Sequence, residues 1–320
     1  MEIVDDDEFV HLDKYPSFNK LQFHDKETLV NKITTLFTKG KDEKWLINEE
    51  ELKMGEKIGE GKFSLVHECM WRGLSIAVKR TKLKKIALLK DLLHEIDLWS
   101  ALRHPSLVQF LGVTYIRSEN EFCLLMERID GTNLTQFIQR KTTSALKEYR
   151  KYQICSQIIH VFQFLHSCKP AIIYRDLKPD NIMIDRYGNV KLTDFGLSRF
   201  MPEDETYQMS GETGTIRYMA PEVYRGEYYN LKADVYSLGL VIYYIYTGTK
   251  PFNEYTTATI GTYFNSPEFI FSTEKIKNKQ IRYVVNMCIQ RNTHERWDIE
   301  RLAREFSLLR EETKHECSLS

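Results

Sequence analysis

The chain has 320 residues, 42% of them hydrophobic and 28% charged, with 45 Lys and Arg against 45 Asp and Glu. That composition excludes a disordered, collagenous or coiled-coil chain, and a formal net charge of zero gives no pull toward nucleic acid or an anionic membrane. The longest apolar run, Val235 to Tyr246, is shorter than the ~18 residues a membrane span requires, so a soluble protein without a span and without a nucleic-acid partner is expected.

The opening stretch, Met1-Glu2-Ile3-Val4-Asp5-Asp6-Asp7-Glu8, is acidic where an export signal is basic and then apolar, which predicts a cytoplasmic, reducing location. Cys69, Cys123, Cys155, Cys168, Cys288 and Cys317 include no pair at metal-ligand spacing, which favours free buried thiols. Residues 1–45 read as an extension with one helix, Lys26 to Phe37, where Leu29, Ile33 and Leu36/Phe37 recur at helical spacing. Its apolar stripe either packs on the neighbouring domain or docks a regulatory partner; periodicity does not separate the two. Strand-like runs follow at Leu52 to Ile58, Leu65 to Trp71, Ser75 to Arg80, Leu107 to Thr114 and Phe122 to Glu127, interrupted by a helical run Ile86 to Leu102. After a linker at Ile129-Asp130-Gly131-Thr132-Asn133 the chain turns helical, with runs at Leu146 to Ser167, Lys232 to Thr247, Lys279 to Gln290 and Asp298 to Arg310. A sheet-rich part followed by a helix-rich part predicts an α+β chain in two lobes.

Ile58-Gly59-Glu60-Gly61-Lys62-Phe63-Ser64-Leu65-Val66 places two glycines between two strands, where a hairpin turn leaves backbone amides bare enough to cover phosphates. Taken alone, such glycines are more often turn or bulge formers. Ala77-Val78-Lys79 puts a lysine inside an apolar strand, an expensive position unless a negative charge meets it, and Glu95 on the following helix can supply that charge. The alternative is a Lys79 that snorkels to solvent beside a Glu95 on a wet helix face.

The stretch Ile173-Tyr174-Arg175-Asp176-Leu177-Lys178-Pro179-Asp180-Asn181-Ile182-Met183-Ile184 resembles the catalytic loop of eukaryotic protein kinases. Lys79, Asp194-Phe195-Gly196 and Ala220-Pro221-Glu222 fall in the order and approximate spacing of that family. The resemblance implies a kinase domain at 52–309, with an N-lobe at 52–128, a C-lobe at 132–309 and a tail at 310–320. It further implies ATP as the phosphoryl donor and magnesium, with manganese as an alternative, as the ion.

By that resemblance Asp176 is the base that receives the substrate hydroxyl's hydrogen bond and Lys178 meets the transferred phosphoryl group. Lys79, paired to Glu95, holds phosphates, and Asn181 and Asp194 ligate the metal. Ile58, Gly59, Glu60, Gly61, Lys62, Phe63, Ser64, Val66, Ala77 and Met183 line the nucleotide. Met126 narrows the pocket behind the adenine, and Glu127 and Ile129 offer backbone groups to its edge. Asp234 is expected beneath the catalytic loop and Glu222 against Arg296, while Phe195, Tyr174, Trp99 and Phe110 fall on stacking positions.

Lys178-Pro179-Asp180-Asn181 and Gly214-Thr215-Ile216-Arg217-Tyr218-Met219 resemble serine/threonine kinases, which implies a protein substrate with a Ser or Thr acceptor. Trp45-Leu46-Ile47-Asn48, Trp71-Arg72-Gly73 and Asp234-Val235-Tyr236-Ser237-Leu238-Gly239 are most similar to the tyrosine-kinase-like branch. Three positions depart from the family pattern: Ser64 for the third glycine, Tyr174 for histidine and Trp297 for proline. None removes a catalytic group. Thr206, Tyr207, Ser210 and Thr213 lie in a segment resembling the activation segment, with Ser210 or Thr213 the expected phosphorylation sites and Arg175 the expected phosphate partner. Two alternatives remain: a pseudokinase that binds nucleotide as a scaffold, and a small-molecule kinase of related fold.

Overall fold

Alternating apolar residues at period two build the sheet of the first half of the chain, and a continuous apolar helix organises the second. The computed structural model describes residues 22–61, 64–82, 86–116, 118–119, 121–140, 146–201, 216–266 and 268–317. Contacts divide the chain into two units, Met1–Arg103 with Val108–Arg128 and His104–Leu107 with Ile129–Ser320.

In the first unit, β1 (Leu52–Glu60), β2 (Ser64–Trp71), β3 (Leu74–Lys82), β4 (Phe110–Ile116) and β5 (Glu121–Glu127) form an antiparallel sheet in the order β1-β2-β3-β5-β4. Cys69, Ile76, Val78, Cys123 and Leu125 are buried on one face together with Ile47, as strand alternation dictates. The β2–β3 hairpin turns through Arg72 (φ 48°) and Gly73 (φ 82°), the two left-handed residues that match the twist of the flanking strands. Helix α2 (Ile86–Ser100) buries Leu89, Leu92, Leu93, Ile96 and Trp99, each burial worth about 1.5–3 kcal/mol.

The helix in the extension, α1 (Phe23–Asp42), is longer than the 26–37 run predicted. The extra last turn carries Lys39 and Lys41, which complement the helix dipole where apolar periodicity has run out. Leu29, Ile33, Leu36 and Phe37 are all buried, and the helix packs against α2 of the same unit. After the helix, residues 45–47 join the free edge of β4: Val113 N–H donates to Trp45 O (2.8 Å) and Ile47 N–H donates to Val113 O (2.9 Å). An edge that could pair with another chain is covered in this way. Gly112 permits the approach, since a Cβ there would lie 2.5 Å from Trp45 O.

The second unit is mainly helical: α3 (Leu134–Arg140), α4 (Glu148–Ser167), α5 (Pro221–Tyr224), α6 (Lys232–Thr247), α7 (Thr257–Asn265), α8 (Lys279–Cys288) and α9 (Ile299–Cys317). Every residue of α6 from Ala233 to Ile245 is buried, and the helix contacts α4 and α8. A helix buried on every side in this way is a core element. No described helix is long and apolar enough to cross a membrane. Helix α6 ends where Gly248 (φ 68°) donates its N–H to Tyr244 O (2.8 Å), a left-handed cap open to glycine at little cost.

Two small sheets carry the loops of this unit, β6 (Gly131–Asn133) with β8 (Ile182–Asp185) and β9 (Val190–Leu192), and β7 (Ile172–Ile173) with β10 (Arg199–Phe200). The predicted linker 129–133 is therefore partly strand, Gly131 pairing with Asp185 and Asn133 with Met183. Two or three residues show no periodicity, so these strands have no signal in the sequence. Trp297, a departure from the family pattern, is buried with the edge of Tyr283 5.7 Å away and Arg301 over its ring at 5.0 Å.

Candidate active site

In the first unit, the β1–β2 register sets Gly59 opposite Val66 and Glu60 opposite Leu65, and Gly61 N–H donates to Ser64 O (2.8 Å). Lys62 and Phe63 lie outside the described residues. Space at Gly61 is limited, since a Cβ there would stand 2.9 Å from Ser64 Oγ. Ile58 is half exposed, and Glu60 pairs with Lys57 (2.5 Å), which holds its carboxyl below the usual range.

Strand β3 carries Lys79 opposite Val66 on β2 and Leu124 on β5. Its Nζ lies 2.8 Å from Glu95 Oε1, with side-chain exposures of 16% and 5%. Both charges are thus largely withdrawn from water, and removal of one of them should cost about 3–5 kcal/mol. The snorkelling alternative for Lys79 does not hold. Ala77 sits between Glu68 and Met126 in register, and Val66 is half-buried. Met126 is buried opposite Phe110, and Glu127 accepts from Gln109 N–H through Oε1 (2.8 Å) while its own amide donates to Gln109 O (3.0 Å).

In the second unit, residues 174–178 connect β7 to a single 3-10 turn, Pro179–Asn181, and Asp234 from the first turn of α6 holds that loop. Asp234 is 1% exposed and accepts from Tyr174 N–H (2.9 Å), Arg175 N–H (2.9 Å) and His166 Nε2 (3.0 Å). The expectation that Asp234 supports the loop backbone is met. The Tyr174 ring meets the edges of Phe162 and Phe195, each at 5.7 Å, and its hydroxyl donates to Thr193 O. Burial, with the charges of Asp194 and Asp176 adding to it, pushes the Tyr174 phenol far up, so it stays a neutral donor.

Asp176 is 8% exposed. Its Oδ2 accepts from Lys178 Nζ (2.5 Å) and Asn181 Nδ2 (2.9 Å), and Asn181 Nδ2 also donates to Asp176 O (2.9 Å). The other oxygen, Oδ1, is buried and accepts no hydrogen bond among the described residues. Burial raises the Asp176 carboxyl above the ordinary aspartate value; Lys178 and Asn181 oppose that rise and the Asp194 charge reinforces it. Arg175 (φ 69°) and Asp194 (φ 64°) both occupy the left-handed region, which costs an ordinary residue about 1–2 kcal/mol. Met183 is half-buried on β8, paired with Asn133 and Lys191, and Ile129 is half-buried at the start of this unit.

His166, Tyr229 and Ser198 bear on this loop without belonging to any motif. Ser198 Oγ donates to Tyr174 O (3.3 Å), and Arg175 donates through Nε to Leu197 O (2.5 Å) and through Nη1 to Tyr229 Oη (3.1 Å). Arg175 was expected to wait for a phosphate on residues 206–213; its guanidinium already has partners within the unit. The hydroxyls expected to be modified, and Thr215, lie outside the described residues.

The predicted catalytic set is therefore gathered in two groups, Lys79 with Glu95 and the glycine turn in one unit, Asp176, Lys178 and Asn181 in the other. The donor set suits a triphosphate and a hard cation: with Asn181 Nδ2 spent on Asp176, its carbonyl oxygen is left as a ligand, and Asp194 adds a carboxylate. An unmatched buried Asp176 oxygen fits an acceptor for a substrate hydroxyl. Each group, taken within its own unit, has side chains of the kind that phosphoryl transfer from a nucleotide requires.

The family model described as protein kinase domain matches residues 52–306, and the chain belongs to that family. Its fold is accordingly the α+β protein kinase fold. The chain is 34% identical over 230 residues to a putative serine/threonine-protein kinase/receptor of Acanthamoeba polyphaga mimivirus, covering 70% of this chain and 14% of that one. It is 35% identical over 219 residues to the serine/threonine-protein kinase VIK of Arabidopsis thaliana, covering 65% of this chain and 49% of that one. It is 33% identical over 222 residues to the dual specificity protein kinase splA of Dictyostelium discoideum, covering 64% of this chain and 9% of that one. The chain thus spans half or less of the length of these relatives.

Proposed function

We propose that the chain transfers the γ-phosphoryl group of ATP to serine and threonine hydroxyls of protein substrates. The observation that carries this reading is the Asp176 carboxylate, fixed through Oδ2 and backbone by Lys178 and Asn181 and open at Oδ1. Asp176 Oδ1 accepts the hydrogen bond of the incoming hydroxyl, orients its oxygen and takes its proton as the new P–O bond forms and the bond to the β-phosphate oxygen breaks. Lys178 then exchanges its carboxylate contact for the phosphoryl oxygens, offsetting charge that develops there. Lys79, held straight by Glu95, and the amides of the glycine turn bind the phosphates. Asn181 and Asp194 would hold a magnesium ion, or manganese in its place, which would supply positive charge to offset that of the phosphates.

Serine and threonine are favoured over tyrosine by Lys178-Pro179-Asp180-Asn181 and by the names of the relatives; the segments at Trp45, Trp71 and Asp234 support the tyrosine-kinase-like branch. Four buried free thiols, Cys69, Cys123, Cys155 and Cys288, support a reducing, cytoplasmic setting. We also assign Ser210 or Thr213 as autophosphorylation sites, whose phosphate would compete with Leu197 O and Tyr229 Oη for Arg175. Radiolabel from γ-labelled ATP and magnesium should appear on a generic serine/threonine substrate and vanish in Asp176→Ala, while nucleotide binding persists. A wild-type chain that binds nucleotide and transfers no label is a scaffold, and the proposal fails.

A further inference from the structure

Helix α2 carries Glu95, and whatever fixes the rotation and height of α2 fixes the Lys79 ion pair. Trp99 lies one helical turn beyond Glu95 on the same face, at i+4. It is buried, donates through Nε1 to Val108 O (2.9 Å) and has the Phe110 ring 5.7 Å away at 58°. The far side of Phe110 is covered by Trp45, edge-on at 5.7 Å and 76°. Trp45 is 4% exposed and doubly fixed: Nε1 donates to Glu43 Oε2 (2.9 Å), and its backbone pairs with Val113. Its indole lies against Gly40 in the last turn of α1, where a Cβ would stand 2.7 Å from the ring. Helix α1 itself packs on α2, and Phe37 meets the edge of Phe122 at 6.1 Å. Contacts thus run from Gly40 through Trp45 and Phe110 to Trp99, and the helix itself carries the link on to Glu95 and its partner Lys79, all within the first unit.

We propose that Trp45 is a positioning residue for phosphoryl transfer: seated by α1 and Gly40, it clamps α2 through Phe110 and Trp99 and keeps Glu95 on Lys79. The extension is then part of the machinery that sets the rate rather than an appendage to it. This assignment deepens the proposed kinase reading, and only its activity arm depends on that reading. An edge-to-face aromatic pair shifts an equilibrium by a factor of roughly two to ten, which sets the scale of the effect.

Three variants of the full chain test it: Trp45→Ala, Trp45→Phe and, as a control, Ile47→Ala. Ile47 is as buried as Trp45 but packs on the cluster of Cys69, Val78 and Leu125, away from Phe110. Hydrogen exchange of the amides at 89–100 and kcat/KM for ATP are measured well below each variant's melting temperature. In Trp45→Ala, exchange of α2 should quicken and kcat/KM should fall by about three- to ten-fold. Trp45→Phe should restore most of both, and Ile47→Ala should lower Tm without selectively loosening α2. A fourth variant, Gly40→Ala, displaces the indole while removing a helix-weakening glycine; it should lower kcat/KM although α1 itself gains helix propensity. If exchange at 89–100 responds no more to Trp45→Ala than to Ile47→Ala, Trp45 is ordinary core and the assignment is overturned. If exchange responds as expected but the wild-type chain transfers no phosphoryl group, the clamp stands and the kinase reading is what fails.

Discussion

Asp234→Asn changes one atom and should disable the catalytic loop. The carboxylate is 1% exposed and serves three donors, Oδ2 taking Tyr174 N–H (2.9 Å) and His166 Nε2 (3.0 Å) and Oδ1 taking Arg175 N–H (2.9 Å). An asparagine has one acceptor oxygen. With that oxygen on the Tyr174 side, its NH2 faces the Arg175 amide, donor against donor; turned the other way, it loses two donors rather than one. The smaller loss is one charge-assisted hydrogen bond plus a buried N–H without a partner, about 1.5–3 kcal/mol. For a domain of about 200 residues each kcal/mol moves Tm by about 2–4 °C, so a fall of roughly 3–12 °C is expected in a circular-dichroism melt. The rate should suffer beyond the stability loss. Arg175 holds a left-handed backbone (φ 69°) next to Asp176, and the lost bond is one that keeps it there. Phosphoryl transfer measured below the new Tm is expected to drop by about ten- to hundred-fold, the same energy read as a rate. A variant with Tm within about 1 °C of wild type and an unchanged rate would refute the role given to this carboxylate.

Asp176→Asn should abolish transfer and yet raise Tm at pH 7. The fold favours the neutral carboxyl, so its stabilising contribution is complete below the ordinary value of 3.8 and is lost as pH rises through the higher folded value. The gain from the substitution should therefore shrink as pH is lowered toward that range, and a gain independent of pH would contradict the assignment. Arg296 is 1% exposed and bound to Glu222 through Nη1–Oε1 (2.6 Å) and Nη2–Oε2 (3.0 Å), with further bonds to Gln290 O and Lys232 O. Glu222→Gln and Arg296→Met should each cost about 3–5 kcal/mol in urea unfolding, the double variant much less than their sum, and strict additivity would show the pair to be uncoupled.

The residues proposed to bear chemistry were legible as motifs or as expensive positions. A lysine between Val78 and Arg80 on an apolar strand needs a carboxylate, and Glu95 on the next helix could supply it, although Asp91 and Asp97 lie on that helix too. Asp176, Lys178 and Asn181 lie within six residues, so one short loop brings them together whatever the rest of the chain does. The large elements were legible for a related reason: α6 and the five strands of the first sheet follow periods of burial that local sequence repeats. What was hidden depends on distant partners. Strands of two or three residues, such as β7 and β10, form only because another segment offers them an edge. His166 and Asp234 are far apart in the chain, as are Trp45 and Phe110, and no spacing rule couples them. The Lys26 to Phe37 run could be read as amphipathic but not as packed, since its partner α2 had to be placed first.

Arg175 marks the point at which a motif ceases to determine a contact. Its position beside Asp176 is dictated by the loop, but a guanidinium presents five donors on a long stem and takes whatever acceptors the surrounding backbone offers. Here those include Leu197 O and Tyr229 Oη, both neutral. Neutral hydrogen bonds contribute about 0.5–1.5 kcal/mol each, whereas bonds between arginine and an anion contribute about twice as much and can form in parallel pairs. A phosphate reaching Arg175 would therefore outweigh either acceptor wherever it took the same N–H, and its net effect there would be the difference between the two bonds. Loop order at Arg175 rests on Asp234, through the backbone amide that no phosphate can replace. The guanidinium can consequently change partners without releasing Asp176, which makes the carboxylate beneath the loop the more sensitive of the two positions to substitution.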